Sequence, residues 1–233
     1  MRIADPHILG RMFPVSDVIP SRTTPYVTIS LIALNAIAFL IELQLSDSGL
    51  HQLVASYGVV PARFTWTDML TSMFLHSGWL HFLGNMLYLW IFGDNVEDRL
   101  GHARYLLFYL FCGAAASLGQ VASHPESTLP MIGASGAIAG VMGAYFVLYP
   151  QSRVLTAVFI IIFIDLIEIP AIYFLGIWFL MQLFSGVGSL GARTADGGIA
   201  FWAHVGGFAA GALLGALWRA SEAKRRHGWE HSS

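Results

Sequence analysis

The chain has 233 residues, of which 56% are hydrophobic and 11% charged, and its mean hydropathy is +0.64. A soluble domain of that length could not bury so much apolar side chain. A net charge of −2, from 12 Lys and Arg against 14 Asp and Glu, excludes a basic nucleic-acid surface, and a single cysteine, Cys112, excludes an intrachain disulfide framework. The lipid bilayer is the partner to expect.

Residues 1–25 carry Arg2, Asp5, Arg11, Asp17 and Arg22 with no continuous apolar run, so they read as a short cytoplasmic N-terminal segment without a signal peptide. A helix needs about 20 predominantly apolar residues to cross the hydrocarbon core, and a charge at its centre costs about 2.5–3.5 kcal/mol. Six stretches meet that demand, at 26–45, 79–95, 104–122, 135–150, 170–188 and 201–219. The predicted fold is therefore all-α, a polytopic bundle of six transmembrane helices over residues 26–220, followed by a short cytoplasmic tail over 221–233. Residues 46–74, with Pro61, form a long first loop. Asp165 and Glu168 fall in a connection at the membrane surface before the helix start at Pro170. On the fifth span, Phe174, Trp178 and Phe179 either line an entrance beside the second span or, as the preferred reading, are bulky lipid-facing residues.

Six spans place both termini on one side. With the termini inside, Arg2, Arg11, Arg22, Arg99, Arg104, Arg153, Arg219, Lys224, Arg225 and Arg226 lie in inner segments, and only Arg63 and Arg193 lie outside. The bias predicts cytoplasmic termini in a bacterial-type inner membrane.

The densest local signal is Gly133-Ala134-Ser135-Gly136, which opens the fourth apolar helix after Pro130. A serine at a helix N-terminus sits beside backbone N–H groups that lack intrahelical partners, so it is either an ordinary cap or a nucleophile next to an oxyanion site. A serine hydroxyl needs a base, and His204, near the outer end of the last span, shares its predicted depth. Gly207, Gly211 and Gly215 follow on the last span, while Gly136, Gly140 and Gly143 line the fourth, so close approach of these two helices is predicted. The second span adds His76, His81 and Asn85. His81 and Asn85 are four residues apart, share a helical face, and are either interhelical hydrogen-bonding groups or donors to a developing oxyanion.

Together these residues resemble the rhomboid family of intramembrane serine proteases. The resemblance rests on His76-Ser77-Gly78-Trp79-Leu80-His81-Phe82-Leu83-Gly84-Asn85, on Glu97-Asp98-Arg99-Leu100-Gly101, on the Gly133–Gly136 run, and on Ala203-His204 with its glycines. It implies a six-helix rhomboid-like bundle and a Ser–His dyad, with Ser135 as nucleophile and His204 as general base. It further implies Asn85, His81 and the Ser135 backbone N–H as the oxyanion hole, and His76, Gly133 and Gly136 as motif support. The substrates implied are membrane-anchored proteins with a transmembrane helix, reaching the site between the second and fifth spans. No cofactor or metal is expected, since neither an HExxH zinc motif nor a GxGD aspartyl motif is present. Some family members carry an aromatic residue four positions after the serine, against the histidine. Here that residue is Ala139, so another side chain must hold the imidazole. Two other classes compete with the protease reading. One is a catalytically silent relative that binds membrane helices, and the other is a transporter using Asp165, Glu168 and the histidines.

Overall fold

The computed structural model describes residues 12–160, 163–190 and 200–230. The N-terminal charges Arg2, Asp5 and Arg11 and the outer-loop Arg193, on which parts of the sequence reading rest, lie outside those residues.

Each of the six apolar stretches is helical. They correspond to α1 (Tyr26–Glu42), α4 (Trp79–Leu100), α5 (His102–Ser123), α6 (Ser135–Leu148), α7 (Ala171–Ser189) and α8 (Phe201–Glu230). Three of these, α5, α7 and α8, are long and apolar enough to cross a bilayer on their own terms, whereas α1 and α6 are shorter apolar helices. The first loop is built rather than open. It holds α2 (Asp47–Tyr57) and the short α3 (Asp68–Thr71), and Ser46 caps α2 by accepting from the Gly49 N–H at 3.3 Å.

The all-α expectation needs correction. Strands β1 (Met12–Asp17), β2 (Arg153–Ile160) and β3 (Phe163–Pro170) form an antiparallel sheet in the order β1-β2-β3. Val154 pairs with Asp17 on one side and with Ile169 on the other. The described residues of the segment expected to be a plain connection, 151–169, thus hold two strands, and Met12–Asp17 supplies a third. Val154, Thr156, Val158, Ile167 and Ile169 give the stretch the β-branched content that favours strands. Asp165 and Glu168 sit exposed on β3, where Glu168 meets Arg153 at 3.4 Å. They are therefore surface charges of a sheet rather than relay groups within a helix.

Consecutive charged residues at the end of α4 bind three different segments. The buried Glu97 carboxylate accepts the N–H groups of Val27 and Thr28 at 2.9 and 2.8 Å, satisfying orphan donors at the positive end of α1. Asp98 accepts the Thr23 N–H at 3.0 Å, and Arg99 pairs with Glu222 of α8 at 2.6 Å. Just before them, Asn95 donates to Asp17 at 3.1 Å, and Tyr145 of α6 donates to the same carboxylate at 2.6 Å.

Burial pushes the Asp17 carboxyl up to about 6, against the lowering effect of the Tyr145 hydrogen bond and with Asp94 adding repulsion. A carboxyl raised in the folded state favours folding most below its unfolded value near 3.8, and that contribution disappears as pH rises through about 6. Asp17→Asn keeps an oxygen acceptor and removes the charge. The variant is expected to match wild-type thermal stability in detergent at pH 4 and to exceed it at pH 7 by roughly 1–2 kcal/mol after allowance for solvent screening. Equal stability differences at the two pH values would show that Asp17 docks β1 without titrating.

Candidate active site

Ser135 and His204 are placed by a seam of small residues. A Cβ on Gly207 would collide with the carbonyl oxygen of Gly136, and one on Gly211 with that of Gly140. One on Gly215 would come within 3.1 Å of the Ala144 Cα. On the opposite side, a Cβ on Gly143 would run into the Phe208 carbonyl. The two predicted glycine rows therefore face each other, and α6 and α8 meet backbone to backbone. Gly136 also accommodates Ala116 of α5, whose Cβ would be 2.5 Å from an added Cβ. Across this seam, His204 Nε2 lies 2.8 Å from Ser135 Oγ.

The other ring nitrogen of His204 has a partner that the sequence reading did not single out. Gln182 Oε1, on α7, lies 2.7 Å from His204 Nδ1. An amide oxygen can only accept, so the tautomer that satisfies this contact carries its proton on Nδ1 and turns the Nε2 lone pair to the Ser135 hydroxyl. Trp178, one turn earlier on α7, sets its ring 5.7 Å from the imidazole at 37°. Phe179 stacks on Phe208 at 4.6 Å, and Phe174 is buried. These three aromatics face the bundle rather than lipid, because α7 turns them toward α6 and α8 and leaves Tyr173, Leu180 and Phe184 exposed.

His81 and Asn85 reach the turn before Ser135 from α4. The Ser77 N–H donates to His81 Nδ1 at 3.3 Å, and since a backbone N–H cannot accept, the His81 proton resides on Nε2. The Ser77 hydroxyl reinforces the arrangement at 3.1 Å. Gly133 has φ +118°, a conformation rarely adopted by residues with a side chain, and a Cβ there would lie 2.6 Å from His81 Nε2 and 3.6 Å from Asn85 Nδ2. Both donors therefore look onto the Gly133 backbone two residues before Ser135. The Asn85 amide nitrogen is buried without a hydrogen-bond partner among the described residues. Leaving such a donor unpaired typically costs about 1–3 kcal/mol.

The first loop fixes this turn. The Gly133 N–H donates to Ser72 O at 2.8 Å, and Val59 and Met131 exchange N–H···O bonds of 2.9 and 2.8 Å. His76 belongs to that scaffold. The residue is 1% exposed, with its ring among Phe39, Phe82 and His81, and its backbone N–H donates to the Glu42 carboxylate at 3.1 Å.

A serine and a histidine in hydrogen-bonding contact between apolar helices, with two further donors facing the same turn, describe a hydrolase-like site in an integral membrane protein. Residues 63–221 match the Rhomboid domain, and the chain belongs to the rhomboid family. It is 33% identical over 202 residues to rhomboid protease GluP of Bacillus subtilis, a match covering 82% of this chain and 35% of that protein. It is 30% identical over 160 residues to the mitochondrial rhomboid protein 1 of Saccharomyces cerevisiae, covering 67% of this chain and 42% of the relative. A shorter match, 35% identical over 92 residues, is to the putative rhomboid protease YdcA of Bacillus subtilis, covering 40% of this chain and 46% of that protein. The chain thus spans less than half the length of each of these relatives.

Proposed function

We propose that the protein is an intramembrane serine endopeptidase that cleaves membrane-anchored proteins in or near their transmembrane segments. The 2.8 Å contact between Ser135 Oγ and His204 Nε2 carries this reading. His204 takes the hydroxyl proton as Ser135 attacks the scissile carbonyl, and returns it to the departing amine. The carbonyl oxygen gains negative charge at the turn after Gly133, where His81 Nε2–H, Asn85 Nδ2–H and the Ser135 backbone N–H supply donors. Water then releases the acyl group. A helical substrate hides its carbonyls in its own hydrogen bonds, so it must unwind locally to reach the serine.

All six helices span the bilayer in this reading, with both termini cytoplasmic. The Arg and Lys distribution supports that orientation. The sheet, which follows the opposite end of α6 from Ser135, is then cytoplasmic and the active site opens toward the outer face.

The test is chemical labelling together with cleavage. The purified protein in liposomes is expected to react with a fluorophosphonate at Ser135, located by mass spectrometry, and to cut a generic single-span substrate. A folded protein that neither labels nor cleaves would instead be a silent relative that binds membrane helices.

A further inference from the structure

We propose that Gln182 is the positioning residue of the catalytic unit, holding the His204 imidazole in the tautomer that Ser135 requires. The inference rests on the serine-protease reading and adds a third member to its dyad. The residue four positions after Ser135, Ala139, is wholly buried and offers only a methyl group, so α6 has nothing there to orient the imidazole. The helix α7 supplies both missing functions from one face. Gln182 Oε1 accepts a hydrogen bond from Nδ1–H at 2.7 Å, and Trp178, four residues earlier, covers the ring at 5.7 Å.

The consequence for chemistry follows from the two nitrogens. With the proton fixed on Nδ1, Nε2 is free to accept from Ser135. Without an acceptor at Nδ1, the proton can sit on Nε2 and face the hydroxyl it should receive from, which is the unproductive tautomer. A neutral amide orients and satisfies the imidazole but cannot balance the imidazolium charge as a carboxylate would. Gln182 should therefore affect the chemical step more modestly than a buried aspartate partner would.

It also makes the geometry of the base depend on α7. Only 17% of the membrane-length window of that helix is buried, against 33% for α5 and 28% for α8. Its fixed ties include the Trp202 indole N–H to Gly186 O, at 3.1 Å. The base is correctly set only while this lightly packed helix rests against α8.

Two variants and one spectroscopic measurement test the assignment. Gln182→Met preserves length and volume but removes the acceptor, whereas Gln182→Glu keeps an oxygen acceptor in either protonation state. Both are compared with wild type in liposomes, with rates expressed per folded molecule by end-point fluorophosphonate labelling. The methionine variant is expected to lose about 10–100-fold in kcat, the scale for an outer partner of a functional histidine, with KM within about twofold of wild type. The glutamate variant should recover most of that loss. Nitrogen-15 spectra of histidine-labelled protein in detergent should show His204 protonated at Nδ1 in wild type and a mixture of tautomers in Gln182→Met.

An unchanged kcat in Gln182→Met, a glutamate variant no better than methionine, or a wild-type His204 protonated at Nε2 would each overturn the assignment. The last observation needs no activity. It separates failure of this inference from failure of the protease reading, which would appear as wild-type protein that neither labels nor cleaves.

Discussion

Ser135→Ala and His204→Ala are each expected to remove almost all cleavage, with the double variant scarcely worse than either single one. The reason is that the hydroxyl and the imidazole act as one unit across their 2.8 Å contact. Once the proton acceptor is gone the serine is a weak nucleophile, and once the serine is gone the base has nothing to activate. Both substitutions remove atoms at the α6–α8 seam without adding bulk, so folding should persist. The check is product formation in liposomes beside thermal unfolding in detergent. Near-wild-type cleavage by folded Ser135→Ala would end the serine mechanism, whatever the remaining geometry.

Asn85→Ala should lower turnover by roughly 10²–10³-fold, equivalent to about 2.7–4 kcal/mol of transition-state stabilisation. In the resting structure the Asn85 amide nitrogen is buried without a hydrogen-bond partner among the described residues, so a developing oxyanion at this turn would meet an uncommitted donor. Asn85→Asp is the sharper variant. It retains the shape but presents a carboxylate to the developing oxyanion, so it should be at least as damaging as alanine. Rate per fluorophosphonate-labelled site separates the possibilities. If Asn85 only joined helices, both variants would lose thermal stability while each surviving site cleaved at the normal rate.

The pairing of Ser135 with His204 was legible in the sequence because it needed only two facts, a shared depth and facing glycines. Helical periodicity supplies both. His81 and Asn85 were legible as a pair for the same reason, but the direction of their donors was not. That depends on Ser77, whose N–H fixes the His81 proton, and on the positive φ of Gly133. Gln182 escaped because a single amide in an apolar run has no periodicity to mark its face. The available signal was that it is the only amide side chain between Ala171 and Ser189. The sheet escaped for a different reason. Arg153, Asp165 and Glu168 marked the stretch as lying outside the spans, but charge says nothing about backbone conformation, and the β-branched content of Arg153–Ile160 and Phe163–Pro170 was the better guide. Phe174, Trp178 and Phe179 were misjudged because bulk alone does not say which side of a lightly packed helix faces lipid.

The seam between α6 and α8 also bears on how the protein meets membranes of different thickness. The helix α6 has 14 residues, about 21 Å at 1.5 Å per residue, against a hydrocarbon core of roughly 30 Å. A helix shorter than the hydrocarbon core is met by local thinning of the bilayer, since tilting would shorten its reach further. Because glycines join α6 and α8 through their backbones, the pair responds to the lipid as one body, and the distance between Ser135 and His204 does not stretch with it. Acyl-chain length is then expected to act on how a substrate helix is presented and on the seating of α7, so that a thicker bilayer should slow cleavage without altering the 2.8 Å contact between Ser135 and His204.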